Sequence, residues 1–115
     1  MNEAVKVQYR DGSVMPSGMV IEEAITEPGT FSASWPFECS RFTVPPGATS
    51  EIDQHEVAEV WMVRSGTGTI QSLDASLDVS AGESVFFPPW IPHQVTNTGS
   101  REREVFSVWW GEAGR

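Results

Sequence analysis

The chain contains only two histidines, His55 and His93, and both lie near residues that can help to bind a metal ion. Asp53 precedes His55 by two positions, so on an extended strand the two side chains point to the same face. Glu59 opens the next apolar run, and His93 ends a proline-rich turn. Two imidazoles and one or two carboxylates, if they converge, suit a first-row divalent ion such as Zn, Fe(II), Mn, Ni or Cu. An incomplete protein shell would leave positions open for water or a substrate.

Other kinds of active site have less support in the sequence. With both histidines in this pattern, neither is left for a Ser–His–Asp or Cys–His arrangement. The single cysteine, Cys39, cannot form an internal disulfide, and a lone cysteine without a nearby histidine is more often a small buried side chain than a nucleophile. A glycine-rich phosphate-binding loop is also missing, which argues against nucleotide-driven chemistry.

Short β-strands separated by turns must position these residues. Eight prolines and ten glycines interrupt the sequence at short intervals and leave little room for helices. We predict an all-β sandwich or barrel in which residues 1–115 form a single domain. Ser65–Gly68 is typical of a hairpin connection. The predicted strands are Met19–Ile25, Arg41–Val44, Val60–Arg64, Thr67–Leu73, Leu77–Val79, Ser84–Pro88, Gln94–Asn97 and Glu104–Trp110.

The formal net charge of −9, from 7 basic and 16 acidic residues, argues against two classes of partner. Nucleic-acid binding needs a basic face, and binding to anionic membrane surfaces needs basic residues as well. The first ten residues lack the pattern of a signal peptide, and no apolar run approaches the roughly 20 residues of a membrane helix. We therefore expect a cytoplasmic protein with no nucleic-acid or membrane partner.

The segment Gly47–Gly66 resembles the first signature motif of the cupin superfamily. That motif reads glycine, five residues, histidine, one residue, histidine, three or four residues, glutamate, six residues, glycine. His55 and Glu59 occupy the second histidine and the glutamate. Asp53 stands where the first histidine would be.

The segment Gly82–Asn97 resembles the second cupin motif, in which Pro88 and His93 fall in register. Trp90 replaces the second glycine of that motif, whose usual role is a turn with unusual backbone dihedrals. The prolines around Trp90 are stiff enough to hold His93 in place without the glycine. We expect Trp90 to cap the mouth of the barrel. The alternative is a wall for a flat or apolar ligand.

The resemblance implies a small cupin-type jelly-roll β-barrel, often dimeric, with a metal ion near the centre of its cavity. His55, Glu59 and His93 would be metal ligands, and Asp53 a fourth ligand, a carboxylate that holds a metal-bound water, or a base. Aspartate is shorter than histidine and would not necessarily span the same gap. A second carboxylate favours Mn or Fe(II), whereas two imidazoles keep Zn and Ni open.

Two further residues are candidates for substrate binding. Trp61 shares a strand face with Glu59 and is the best candidate for a pocket wall. Arg41 is the basic residue embedded between strands near the first motif, where it would pair with a substrate carboxylate. The alternative for Arg41 is a salt bridge at the edge of the sheet.

The leading hypothesis from the sequence is a metal-dependent enzyme that acts on a small organic substrate, of the oxygenase, isomerase or metabolite-tailoring type. The alternative is a non-catalytic cupin that binds a small molecule or assists a partner enzyme. The stretches HEVAEVW, PPWIPHQVTN and VFSVWW are similar to the zinc-binding cupin modules of methionyl-tRNA-synthetase-like hydrazine-forming enzymes. That likeness implies a role in N–N bond formation. The resemblance also implies a homodimer.

Overall fold

Nine β-strands and no helix make up the regular structure of residues 4–26 and 35–110, the part of the chain that the computed structural model describes. The prediction of an all-β fold is confirmed. The strands are β1 (Ser13–Val14), β2 (Val20–Glu23), β3 (Glu38–Val44), β4 (Ala58–Ser65), β5 (Thr67–Ser72), β6 (Ala75–Ser80), β7 (Ser84–Phe87), β8 (His93–Asn97) and β9 (Arg103–Trp110). Within those residues, no helix is long and apolar enough to cross a membrane.

Two antiparallel sheets enclose the core. The larger sheet has six strands in the order β1–β2–β3–β9–β4–β7, and the smaller has three in the order β6–β5–β8. Because β9 pairs with both β3 and β4, distant parts of the chain cross over to become neighbours. The last strand therefore lies at the centre of the larger sheet, beside the strand that carries Glu59.

Alternating burial shows which face of the larger sheet points inward. On β4, Glu59, Trp61 and Val63 are buried, whereas the residues between them are partly exposed. On β9, Val105 and Ser107 are buried in the same way. A period of two is what a strand with one face against a core requires. Ten residues form the apolar core: Met19, Phe42, Val44, Trp61, Val63, Ile70, Val79, Phe87, Val95 and Val105.

All eight predicted strands overlap observed strands, but the predicted hairpin at Ser65–Gly68 is wrong. Because β4 and β5 belong to different sheets, the chain passes from one sheet to the other at Gly66. Gly66 has a φ of +85°, and a Cβ at this position would lie 3.1 Å from Cα of Arg103. The passage therefore needs glycine for both its conformation and its space. The short strand β1 was not predicted.

The connection between β3 and β4 runs alongside β8 and brings the two motifs together. The Ser50 N–H donates to the Val95 carbonyl at 2.8 Å. Asp53 and His93 form an antiparallel bridge in which their backbones exchange two hydrogen bonds of 2.8 and 2.9 Å. This pairing places Asp53 directly opposite His93.

Candidate metal centre

Four side chains from the two motifs meet at one end of the barrel. Glu59 belongs to β4 and His93 begins β8, while Asp53 and His55 come from the connection between β3 and β4. The side chains of Glu59 and His93 are only 4% and 2% exposed. Those of Asp53 and His55 are 42% and 37% exposed. The cluster therefore has a buried base and an open outer side.

Three of the four residues bring ligand atoms close enough to share one ion. One ligand atom each from Asp53, Glu59 and His93 lies within 4.8 Å of the others. His93 Nε2 lies 3.1 Å from Glu59 Oε1 and 3.8 Å from Asp53 Oδ2. His55 Nε2 lies 2.9 Å from Asp53 Oδ1 and 3.8 Å from Glu59 Oε1, so His55 borders this cluster on its exposed side. The short aspartate does span the gap, because its backbone is paired with that of His93.

Hydrogen bonds hold the buried Glu59 carboxylate in one orientation. Trp61 Nε1 donates to Glu59 Oε2 at 2.9 Å, and the Ser107 hydroxyl donates to the same oxygen. Burial alone would raise the pKa of Glu59, but the hydrogen bonds from His93, Ser107 and Trp61 outweigh it, so the pKa lies below its ordinary value. Glu59 is therefore a preformed anion whose other oxygen, Oε1, faces His93 and His55.

His93 is fixed both by its ring and by its hydrogen bonds. Phe87 stacks on the imidazole at 3.8 Å between ring centroids, and Trp61 meets it edge-on at 5.0 Å. Nδ1 donates to the Ile91 carbonyl at 2.9 Å, which leaves Nε2 facing the carboxylates. Burial lowers the pKa of His93, but hydrogen bonds to Glu59 and Ile91 raise it more, so the pKa lies above its ordinary value. This is the second-nitrogen anchoring that orients metal-binding histidines.

His55 lies on the open side of the cluster, against an aromatic wall. Its ring is nearly parallel to that of Trp109, with an interplanar angle of 5° and centroids 6.3 Å apart. The Trp90 N–H donates to the His55 carbonyl at 2.6 Å, and Gln54 Nε2 donates to the Trp90 carbonyl at 2.9 Å. The turn at Trp90 therefore supports the loop that carries His55.

Trp90 adopts a backbone conformation of the kind that favours glycine. Its φ is +67°, in the left-handed region that side chains other than glycine rarely adopt. The unusual dihedral expected of a glycine at this motif position is therefore present at Trp90. The indole is 62% exposed and is not part of the cavity wall described next, so the structure does not bring Trp90 to the metal cluster.

A cavity of about 260 Å³ adjoins the cluster. Its wall combines apolar side chains with carboxylates and hydroxyls. The lining residues are Met15, Met19, Ile21, Glu23, Ser40, Phe42, Ser50, Glu51, Ile52, Asp53, His55, Glu59, Trp61, Ser107 and Trp109. Such a cavity is large enough for a small metabolite next to the metal ligands.

The structure places the two predicted substrate-binding residues differently. Trp61 is buried in the cavity wall beside Glu59. Arg41 is on the opposite face of β3 from the cavity residue Phe42, where its Nε lies 2.7 Å from Glu22 Oε1. Its guanidinium also lies 3.9 Å from the ring centroid of Tyr9. Arg41 thus forms a salt bridge, as its alternative predicted, but between the inner strands β2 and β3 and not at the edge of the sheet. The structure does not bring it to the cavity.

Sequence reasoning missed two residues that contact the cluster. Ser107 donates to Glu59, and Trp109 stacks on His55; both belong to the inward face of β9. A signal for Ser107 was available, since it is the one polar residue in the apolar run Val105–Trp110. A buried hydroxyl in such a run needs a hydrogen-bond partner. Nothing in the sequence showed that this partner would be Glu59, because β4 and β9 are far apart along the chain.

The donor set fits a divalent first-row metal ion. It offers two carboxylates and two imidazoles, and the buried members carry hydrogen bonds that fix their orientation. Oxygen and nitrogen donors without sulfur suit Mn, Fe(II), Zn and Ni alike.

Comparison with known proteins identifies the family. The model of the cupin domain family matches residues 40–109, which is more than half of the chain. The chain belongs to the cupin family. A curated relative of this cupin, the xanthan biosynthesis protein XanB of Xanthomonas campestris pv. campestris (strain B100), is 34% identical over 73 residues. The matched segment is 63% of this chain and 16% of XanB, so this cupin spans a small part of that relative.

Solved structures support the same fold. A Cupin 2 conserved barrel domain protein from Salinispora arenicola CNS-205 has a TM-score of 0.77 and 28% identity, covering 95% of this cupin and 91% of that chain. The plu4264 protein from Photorhabdus luminescens has a TM-score of 0.78 and 20% identity, covering 97% of this cupin and 90% of that chain. The predicted cupin-type barrel and the resemblance to the cupin superfamily are both confirmed.

Proposed function

We propose that this cupin binds a divalent metal ion through Asp53, Glu59 and His93, with His55 as a fourth ligand, and acts on a small organic molecule in the adjoining cavity. The observation that carries the proposal is the convergence of these donors beside that cavity, whose wall includes Asp53, His55 and Glu59. An ion held there supplies a Lewis acid that polarises a carbonyl or hydroxyl group, or a centre that activates oxygen.

The proposed ligands have two roles: the buried ones hold the ion, and the exposed ones face the substrate. Glu59 and His93 are buried and fixed by neighbours, so they provide a rigid base for the ion. Asp53 and His55 are more exposed, so we expect a substrate to approach the ion from their side. Asp53 has two oxygens, so one can bind the ion while the other accepts a proton from the substrate. Trp61 and Ser107 keep the Glu59 carboxylate aligned.

A non-catalytic or accessory cupin is the second candidate. The observation in its favour is that the matching segment forms 16% of a much longer protein, one named for xanthan biosynthesis. A segment similar to this cupin therefore occurs within a longer chain that contains other regions. The accessory role in zinc-dependent N–N bond formation stays a prediction, as do the homodimer and the cytoplasmic location.

Elemental analysis and metal titration of the purified protein test the leading proposal. We expect one divalent ion per chain in the wild type and strongly reduced binding in Glu59→Gln, which keeps the shape of the side chain but removes its charge. Glu56→Gln is the matched control, because Glu56 is an exposed acid three residues away that is outside the cluster. Equal metal binding by the Glu59→Gln and Glu56→Gln variants would refute the proposed centre.

Turnover separates the two candidates. An enzyme whose metal-loaded form consumes oxygen or converts a small molecule loses that activity in the Glu59→Gln variant and keeps it in Glu56→Gln. A cupin that binds its ligand equally well without metal, and shows no conversion in either form, matches the accessory role instead.

A further inference from the structure

The charged groups in the cavity wall are almost all negative. Four carboxylates line it, from Glu23, Glu51, Asp53 and Glu59, while the lining contributed by the described residues includes no lysine or arginine. His55 is the one basic side chain among them, and it is a proposed metal ligand. A cleft lined by one sign of charge attracts ligands of the opposite sign.

Two of the four carboxylates are outside the metal cluster. Glu23 pairs across the sheet with Ser40, and Ser40 pairs with Ser107, the residue that donates to Glu59. Two strand spacings therefore separate Glu23 from Ser107, a distance of about 10 Å. Glu51 is held by Ser17, whose backbone N–H and hydroxyl donate to its carboxylate at 2.8 and 2.7 Å. These two acids therefore add negative charge to the cavity wall outside the metal cluster.

Apolar side chains complete the wall of the same cavity. Met15, Met19, Ile21 and Phe42 contribute to it, on the same side of the barrel as Glu23. Ile21 and Glu23 share the cavity-lining face of β2, two positions apart, with Ile21 partly buried and Glu23 exposed. A ligand in the cavity therefore meets metal donors, an apolar surface and additional carboxylates.

The charge balance remains negative when the ion is bound. One divalent ion offsets the formal charges of Asp53 and Glu59, and the described residues that line the cavity bring no lysine or arginine to offset those of Glu23 and Glu51. Arg41 on the neighbouring strand is paired with Glu22 on the other face of the sheet, and Arg10, whose backbone N–H donates to the Glu23 carbonyl at 2.8 Å, is outside the cavity lining. A ligand carboxylate or phosphate directed at Glu23 or Glu51 would meet like charge, whereas an ammonium group would meet an opposite one.

We propose that the cavity takes a small organic cation: an amine on an apolar body, with its ammonium group toward Glu23 and Glu51 and its other end at the metal cluster. This inference rests on the proposed function, since it names the substrate class of the same cavity. It also replaces the expectation that Arg41 pairs with a substrate carboxylate.

Binding of three probes of similar size tests the inference. Phenethylamine, 2-phenylethanol and 3-phenylpropionate carry a cationic, a neutral and an anionic end on the same apolar ring. We expect calorimetric titration of the zinc-loaded full chain at low salt to give binding in that order, with the amine about tenfold tighter than the carboxylate. The preference should shrink as salt is added, because salt screens the carboxylates.

Variants that remove carboxylates test whether Glu23 and Glu51 cause the preference for the amine. In a Glu23→Gln/Glu51→Gln double variant, the advantage of the amine over the carboxylate should fall to about twofold or less. Asp74→Asn/Glu102→Gln is the matched control, because it changes the net charge equally at two exposed residues outside the cavity wall. The control should keep the wild-type preference.

Several results would overturn the inference. These are tighter binding of 3-phenylpropionate, equal binding of the three probes, a preference that survives in the Glu23→Gln/Glu51→Gln variant, or no binding of the amine at about 10 mM. The same titrations with metal-free protein keep the two proposals apart. If zinc binds but the amine is not preferred, only this inference fails. If zinc does not bind, the proposed function fails, while the metal-free titrations still test the charge preference.

Discussion

Glu59 and Arg103 are both charged and buried, and both point inward. They differ in how well their charged groups are hydrogen-bonded. Glu59 accepts hydrogen bonds from Trp61 and Ser107 and has His93 at 3.1 Å. Arg103 is fully buried and donates from Nη1 to the Val79 carbonyl at 3.0 Å. Among the described residues, neither Nε nor Nη2 of Arg103 has a hydrogen-bond partner.

The difference in hydrogen bonding means that the buried charge of Arg103 destabilises the fold, whereas that of Glu59 is satisfied. Burying a charge without a partner costs free energy, and burial lowers the pKa of Arg103 accordingly. Gly68 makes room for this arginine, since a Cβ there would lie 3.0 Å from the guanidinium carbon. The Glu59 end instead satisfies its charge and keeps one carboxylate oxygen directed at the proposed ion. The polar network around Glu59 is therefore the one that fits the proposed metal centre.

The largest expected effect is at the open end. Replacing Glu59 with leucine removes the acceptor for Trp61 and Ser107 and the partner of His93, leaving buried polar groups unsatisfied. We expect the free energy of unfolding to fall by about 3 to 5 kcal/mol, measured by urea denaturation without metal. A loss below 1 kcal/mol would show that the network contributes little to stability.

Removing the buried charge of Arg103 should change the stability in the opposite direction. Arg103→Met keeps much of the side-chain volume and removes two donors that lack partners. We expect the free energy of unfolding to rise by about 1 to 2 kcal/mol in the same urea assay. A clear loss of stability would mean that the guanidinium is satisfied in solution, and the contrast between the two ends would then not hold.

Ser107→Ala tests the role of hydrogen bonding at Glu59, because it affects the orientation of the carboxylate without removing a proposed metal ligand. The variant loses one hydrogen bond to Glu59, so the carboxylate is less well aligned. We expect metal affinity to fall by about tenfold, as measured by competition with a chelator. Ser84→Ala, at an exposed position on β7, is the control and should bind metal like the wild type. Equal affinities for both variants would remove Ser107 from the positioning role.

The smallest effect concerns the turn at Trp90. Trp90→Gly relieves the cost of a positive φ, while glycine adds entropy to the unfolded chain. These terms partly cancel, so we expect a gain of about 0.5 kcal/mol in urea denaturation, with metal affinity unchanged. A large loss of metal affinity would show that the indole itself contributes to the site.

Local spacing explains what the sequence could predict. Asp53, His55, Glu59 and His93 occupy motif positions, and the alternation of apolar residues indicated the strands around them. Residues brought in by β9 could not be found in this way, since its pairing with β3 and β4 joins distant parts of the chain. The wrong hairpin at Ser65–Gly68 has the same cause. The turn residues were recognised, but sheet membership depends on strands elsewhere.

The long-range contacts also explain why the charge of the cavity was missed. In the sequence, Glu23 resembles the other scattered surface acids. Only the register of β2 with β3 shows that it lies beside Ser40, a residue of the cavity wall. Arg41 looked available for a substrate because it is the basic residue embedded between strands near the first motif. The face on which it lies, and its partner Glu22, follow from the same register.

X-ray absorption spectroscopy of the zinc-loaded protein tests the central claim most directly. The account predicts a shell of nitrogen and oxygen donors at about 2.0 to 2.2 Å that includes the scattering pattern of two imidazoles and no sulfur. The pattern should drop to one imidazole in His55→Ala. A wild-type shell made of water oxygens without imidazole scattering would contradict the proposed centre.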